Sequence, residues 1–147
     1  MTLIDAFNIG AEGLYAHAKR MDVHAKNIAN LDTPNYVRKI PVLLSKDDIS
    51  FNGVMNNMKD SVFASGTVPY QSGGVAFTGV VEDPTKGALI YKPGHPDADK
   101  NGYVRTSNVN PVVDMADALI TSRAYEASMA IIGMTKSMEQ KATEIGK

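Results

Sequence analysis

Residues 3–30 read LIDAFNIGAEGLYAHAKRMDVHAKNIAN, and the spacing of their apolar side chains decides the fold. Ile4, Ala11, Ala18 and Ala25 recur every seven residues, and Phe7, Leu14, Met21 and Ile28 recur every seven between them. The two sets interleave at intervals of three and four, the a/d pattern of a coiled-coil seam. One set is small and the other large, so a partner helix can approach closely on the alanine side. Glu12, His17, Lys19, Arg20, Asp22, His24 and Lys26 fill the intervening positions and predict a polar face. A helix from Leu3 to Asn30 is roughly 40 Å long at 1.5 Å per residue. It stops for chemical reasons. Asn30 suits a left-handed C-cap, Pro34 keeps Thr33 out of the helical region, and Asp32 and Thr33 favour a turn.

The far end of the chain repeats the pattern. From Pro111 to Ile145, Val113, Ala116, Ile120, Ala124, Ala127, Ile131, Met134, Met138, Ala142 and Ile145 step by three or four. Asn110 is placed to cap this second helix, with Pro111 at the first position, where its missing N–H costs nothing. Asp114 and Asp117 near the start, and Lys136 and Lys141 near the end, suit the helix dipole. Met115, Leu119, Met129 and Ile132 add a second apolar row, so burial on more than one side is expected, and Gly146 closes the helix. Arg123 and Tyr125 are of the residue types that anchor interfaces.

Between the helices the composition changes. Gly and Pro punctuate residues 35–110, leaving short β-type runs at Val37–Leu44, Val75–Glu82, Ala88–Lys92 and Tyr103–Thr106. Asn52 to Gly74 is polar and small, and reads as a loop that is mobile or ordered by a partner. The division is therefore residues 1–34, 35–110 and 111–147: helix, β-rich insert with a loop, helix. The fold class is mainly α with a small β-rich insert, the terminal helices paired as an antiparallel coiled coil. Two striped helices of this length cannot hide their apolar surface against so small an insert. They must pair with each other and then with other chains, which describes a polymerising subunit better than a free enzyme.

Composition narrows the function classes. The 147 residues are 44% hydrophobic and 21% charged, a globular balance, and the formal net charge of −1 argues against nucleic acid and anionic membrane. There is no Cys, which removes disulfides, thiolate nucleophiles and Cys-based metal sites. Residues 1–30 lack the apolar core of a cleaved signal, and Met129 to Met134 is too short to cross a bilayer.

The turn after the first helix carries a motif. Asn27-Ile28-Ala29-Asn30-Leu31-Asp32-Thr33-Pro34-Asn35-Tyr36 resembles the A-N-x-x-T-P-G-Y signature of the flagellar rod, hook and hook-associated proteins, with Asn27, Asn30, Thr33, Pro34 and Tyr36 as the motif turn. Asn35 replaces the usual Gly, and Asn is the non-Gly residue that best tolerates positive φ. The run Tyr91 to Val104, followed by Asn108-Val109-Asn110, is similar to the proximal-rod branch of that family. So are Asp114-Met115, Ser122 to Ala127 and Lys136-Ser137-Met138, with Asp114 where Glu is usual and Ser128 where Asn is expected. Residues from about Leu43 to Phe77 stand outside the resemblance. It implies a structural subunit, exported unfolded without a cleaved signal peptide by the flagellar type III apparatus. It also implies assembly with copies of itself and other rod proteins into a torque-transmitting periplasmic rod of the basal body, with no catalytic residue, cofactor or metal. The assembly interface is then expected at Ile4, Phe7, Ala11, Leu14, Ala18, Met21, Ala25, Ile28, Val113, Ala116, Ile120, Arg123, Tyr125, Ile131 and Met138.

Two other chemistries deserve weighing. Asp97-x-Asp99-x-Asn101-Gly102 imitates the start of a calcium loop and supports, as the alternative, a calcium-binding interaction module. The twelfth position is Asn108 rather than Glu, and Pro93 and Pro96 exclude a preceding helix, so an Asx turn entering a strand is the reading taken. His95 beside Asp97 and Asp99 hints at acid–base chemistry, but no nucleophile or phosphate loop lies near it in sequence.

Overall fold

The computed structural model describes residues 3–46 and 73–145, so most of the loop read at Asn52 to Gly74, and Gly146, lie outside the described residues. Helix α1 spans Leu3–Ala29 and helix α2 spans Pro111–Ile145. Between them come β1 (Lys39–Ser45), β2 (Val75–Glu82), β3 (Leu89–Tyr91) and β4 (Tyr103–Arg105). The chain is mainly helical with a small β insert, as the patterning requires. Strands β1 and β2 pair antiparallel, and so do β3 and β4, as two separate two-stranded sheets.

Local chemistry sets these limits. The Asn110 Oδ1 accepts from the amides of Val112 (3.1 Å) and Val113 (3.4 Å), capping α2 as its sequence predicts. At the end of α1 the expectation fails in one detail. Asn30 is not the left-handed residue; its side-chain amide donates back to the Lys26 carbonyl at 2.8 Å and keeps the last turn wound. The left-handed position is Asn35, at φ 59°, where the motif turn reverses the chain. Strand β1 starts two residues later than its apolar run, because the Arg38 amide is taken by Asn108 Oδ1 at 2.6 Å.

The two long helices lie against each other in an unexpected manner. A Cβ on Gly10 would sit 2.9 Å from Ile132 Cγ1, one on Gly13 3.4 Å from Ser128 Oγ, while His24 meets Asp114. Early residues of α1 therefore face late residues of α2. Apart from Ile132, the side chains identified at this contact are small or polar. Among the described residues the buried apolar set is Ala16, Val23, Val104 and Val109, whereas His24, Asn27, Asp114, Thr121, Ser128 and Thr135 are all buried. On α1 the inward positions fall at Gly10, Gly13, His17, Arg20, His24 and Asn27, one residue away from the apolar heptad and so about 100° around the helix. On α2 they are Asp114, Thr121, Ser128 and Thr135, seven apart.

This close approach is testable at two glycines. Gly10→Val forces the helices apart and costs about 1–3 kcal/mol, read as a lower thermal midpoint by circular dichroism. Gly133→Ala adds a methyl that meets nothing within 4 Å. It raises stability by about 1 kcal/mol through helix propensity.

Candidate functional site

Two features stand out, one inside and one outside. The inner one centres on Asp114, whose carboxylate is fully buried. An ionised group there needs partners, because burial without them is prohibitive. Arg38, from the residues leading into β1, donates Nε to Asp114 Oδ2 at 2.8 Å and Nη2 to Asp114 Oδ1 at 3.4 Å. His24 Nδ1 lies 3.0 Å from Asp114 Oδ1, and Asn27 Nδ2 donates to the same oxygen at 3.0 Å. Arg38 also reaches Asp117 at 3.5 Å and Asp83, beyond β2, at 3.9 Å.

Asn27 is the hinge pin of the motif turn. Its Oδ1 accepts from the Lys39 amide (3.0 Å) and the Tyr36 hydroxyl (3.1 Å), and its Nδ2 also donates to the Lys39 carbonyl (2.8 Å). All four hydrogen-bonding capacities of the amide are thus used. Thr33 Oγ1 donates to Asn30 Oδ1 at 3.2 Å, and the Tyr36 amide to the Thr33 carbonyl at 3.3 Å. The motif residues build a joint that welds α1, the turn, β1 and α2 together.

Electrostatics agree with the geometry. Burial opposes the Asp114 carboxylate, but the bonds from Arg38, His24 and Asn27 outweigh it and hold its pKa below the usual 3.8. The hydrogen bond to Asp114 raises the Arg38 pKa despite burial. Burial raises the Tyr36 hydroxyl, reinforced by the Asp114 charge. His24, Asp114 and Asp117 are, among the described residues, the one group of carboxylates and imidazoles spaced to hold a metal. The Arg38 guanidinium bonds both carboxylates, so the cation of this cluster is a side chain.

The outer feature is the apolar stripe. Ile4, Phe7, Ala11, Ala18 and Ala25 are exposed, and Leu14, Met21 and Ile28 are half-buried. On α2, Val113, Ala116, Ile120, Arg123, Ile131 and Met138 are exposed and Tyr125 is half-buried. Ile4 is 72% exposed and Ile120 59%, values far from those of a core. Arg123 touches Glu126 at 3.7 Å on the surface. The heptad that is most legible in the sequence therefore turns away from the contact between α1 and α2.

The Asp97 loop behaves as an Asx turn. Asp99 Oδ1 accepts from the amides of Asn101 and Tyr103, both at 2.9 Å, and the turn feeds β4. A calcium module finds no support in this arrangement. His95 Nδ1 accepts from the Asp97 amide at 3.1 Å, and the nearby Thr106 hydroxyl is bound to the Ala88 carbonyl at 3.1 Å. Arg38, His24 and Asp114 as a cluster were not legible as a site. The available signal was the second heptad, Gly10-Gly13-His17-Arg20-His24-Asn27, together with a polar residue every seventh position from Asp114.

Arg38→Met takes the guanidinium from a buried carboxylate, leaving it only His24 and Asn27, and costs about 3 kcal/mol in urea denaturation, much of it recovered in Arg38→Met/Asp114→Leu. The pH dependence follows from two lowered pKa values. Burial, reinforced by Arg20, lowers His17 below its usual 6.5. Both groups bind fewer protons folded than unfolded, so protonation favours unfolding. The His17 contribution is complete above pH 6.5 and is lost as pH falls below it; that of Asp114 is complete above 3.8 and is lost on further acidification. His17→Gln therefore flattens the decline in thermal midpoint between about pH 7.5 and about pH 5.5. The acid limb remains in that variant.

Comparison with known proteins bears on both features. Residues 7–36 match the family described as "Flagella basal body rod protein", and residues 100–145 match "Flagellar basal body rod FlgEFG protein C-terminal". The chain is 36% identical over 157 residues to flagellar basal-body rod protein FlgC of Bacillus subtilis, covering 100% of both proteins. It is 33% identical over 148 residues to FlgC of Salmonella typhimurium, and 30% over 148 residues to that of Buchnera aphidicola subsp. Acyrthosiphon pisum, again over 100% of each chain. With such identity sustained from end to end, and the matched N-terminal segment closing on the turn that Asn27 anchors, the chain belongs to the flagellar basal-body rod protein C family, whose members are structural rather than enzymatic.

Proposed function

We propose that this structural subunit of the flagellar basal-body rod polymerises through its terminal helices into the proximal rod, a helical drive shaft that transmits torque. The observation that carries the reading is the outward stripe: Ile4, Phe7, Ile120, Ile131 and Met138 are all exposed large apolar residues. Exposed apolar rows of this kind mark an interaction site. The stripe on α1, with Ala11, Leu14, Ala18, Met21, Ala25 and Ile28, and the α2 face of Val113, Ala116, Arg123 and Tyr125, form the assembly interface. The partners are copies of the chain and other rod proteins. Nucleic acid has no part in it, since the net charge is −1.

Residues 1–34 and 111–147 form the assembling core, an antiparallel coiled-coil pair, and residues 35–110 form the insert. The opposed contacts Gly10 with Ile132 and His24 with Asp114 support the antiparallel pairing. A shaft needs stiffness, and the Asp114 joint supplies it by tying the insert to both helices. No helix among the described residues is long and apolar enough to cross a membrane. The chain works in the periplasmic part of the basal-body rod and reaches it unfolded through the flagellar export apparatus, a reading that its likeness to the rod proteins supports.

The test uses charge on the stripe. Phe7→Glu and Ile120→Glu are exposed changes that keep the helical circular dichroism of the chain. In flagellated cells lacking their own rod protein C, both abolish incorporation into basal bodies and swimming. Motile cells carrying either variant would refute the interface.

A further inference from the structure

The contact between α1 and α2 is periodic in a manner that leaves its register nearly undetermined along the middle. Thr121, Ser128 and Thr135 recur every seven residues, and each hydroxyl is spent on its own helix. Thr121 donates to the Asp117 carbonyl at 2.7 Å, Ser128 to Ala124 at 3.0 Å, and Thr135 to Ile131 at 3.0 Å. Sliding α2 by one heptad toward the start of α1 puts Thr121 where Ser128 lies and Ser128 where Thr135 lies, alike in bonding and a methyl apart in size, and brings Asp114 to the place of Thr121. What distinguishes the observed register is Asp114 on His24 and Asn27, together with Ile132 filling the space at Gly10.

Seven residues before His24 stands His17, and seven before Asn27 stands Arg20. His17 Nδ1 is buried without a hydrogen-bond partner, whereas the equivalent atom of His24 holds Asp114 and only its Nε2 is left unpaired. A buried nitrogen in that state is costly and calls for an explanation. We propose that His17 and Arg20 form a second seat for Asp114, and that the helix pair has an alternative register one heptad away in which the carboxylate occupies it. Arg20 supplies there the positive charge that Arg38 supplies in the observed register. The displacement is about 10 Å, seven steps of 1.5 Å, and belongs to the class of discrete ratchets between packed elements. Residues 106–110, which have no regular structure, are the tether, and to follow α2 they give up the bonds of Asn108 to the Arg38 amide and to Asp83 and Thr85. Arg38 is the latch, since its bonds hold Asp114 in the first seat.

Disulfide trapping reads the register directly, because the chain has no cysteine of its own. Gly13→Cys with Ser128→Cys reports the observed register, the Gly13 Cβ direction passing 3.4 Å from Ser128 Oγ. Gly13→Cys with Thr121→Cys reports the slipped one, and Gly13→Cys with Thr135→Cys reports a slip the other way. In the otherwise unchanged chain the first pair closes fastest. Adding Arg38→Met removes a charge-assisted bond and raises closure of the 13–121 pair about tenfold relative to 13–128. Adding Arg20→Met as well reverses that gain. Asn27→Ser, which keeps the ion pair, is the milder companion and shifts the ratio in the same direction. The proposal is overturned if 13–121 closure does not rise in either variant, whether because 13–128 persists alone or because helicity is lost. It is equally overturned if 13–121 and 13–135 rise together, or if Arg20→Met has no effect.

Discussion

A carboxylate with no access to water must be given its bonds by the protein, and most of what is ordered here can be traced to that requirement at Asp114. The helix that bears it begins at residue 111, yet its partners come from residues 24, 27 and 38. Meeting the demand of one oxygen pair brings the start of α2 against the end of α1 and draws the first strand in beside them. The motif turn is shaped for this purpose. Asn27 faces both ways, holding the Lys39 backbone on one side and Asp114 on the other. Asn35 takes the left-handed conformation that lets the chain return to Arg38.

The distribution of polarity is inverted relative to a free globular domain. Between the helices lie glycines, hydroxyls, imidazoles and an ion pair, with Ile132 the apolar exception; outside lie leucine, isoleucine, valine and methionine. Small residues let the helices approach closely, but they bury little apolar area, so the pair gains little from the hydrophobic effect at its own seam. The apolar side chains that would ordinarily stabilise such a pair lie on the outer surface instead. This is the arrangement that the proposed assembly requires, in which contacts within the chain set geometry and contacts between chains supply adhesion.

Much of this was legible in the sequence, and the exceptions have physical causes. Among the described residues, the helices and strands follow from periodicity and from Pro and Gly punctuation, and the Asn110 cap is where its chemistry predicts. The seam was harder. Ile4-Phe7-Ala11-Leu14 is a persuasive heptad, and nothing in a single sequence says whether such a row meets its own chain or a neighbour. The row that does face α2 is shifted by one residue and reads as surface, because His17, Arg20, His24 and Asn27 are polar. Asp114 fits a helix N-terminus so well that its other role is masked. Arg38 sits between a turn and a strand, with no pattern to single it out. Gly10 and Gly13 were the overlooked signal, since glycine within a long helix calls for a packing reason.

The outward stripe also sets how association should respond to temperature. Whatever covers Ile4, Phe7 and Ile120 takes hydrocarbon out of water, so its binding carries a large negative heat capacity change and slackens on cooling. The ion pair at Asp114 has no such origin. Chilled subunits should therefore let go of their neighbours while each keeps its own two ends clasped.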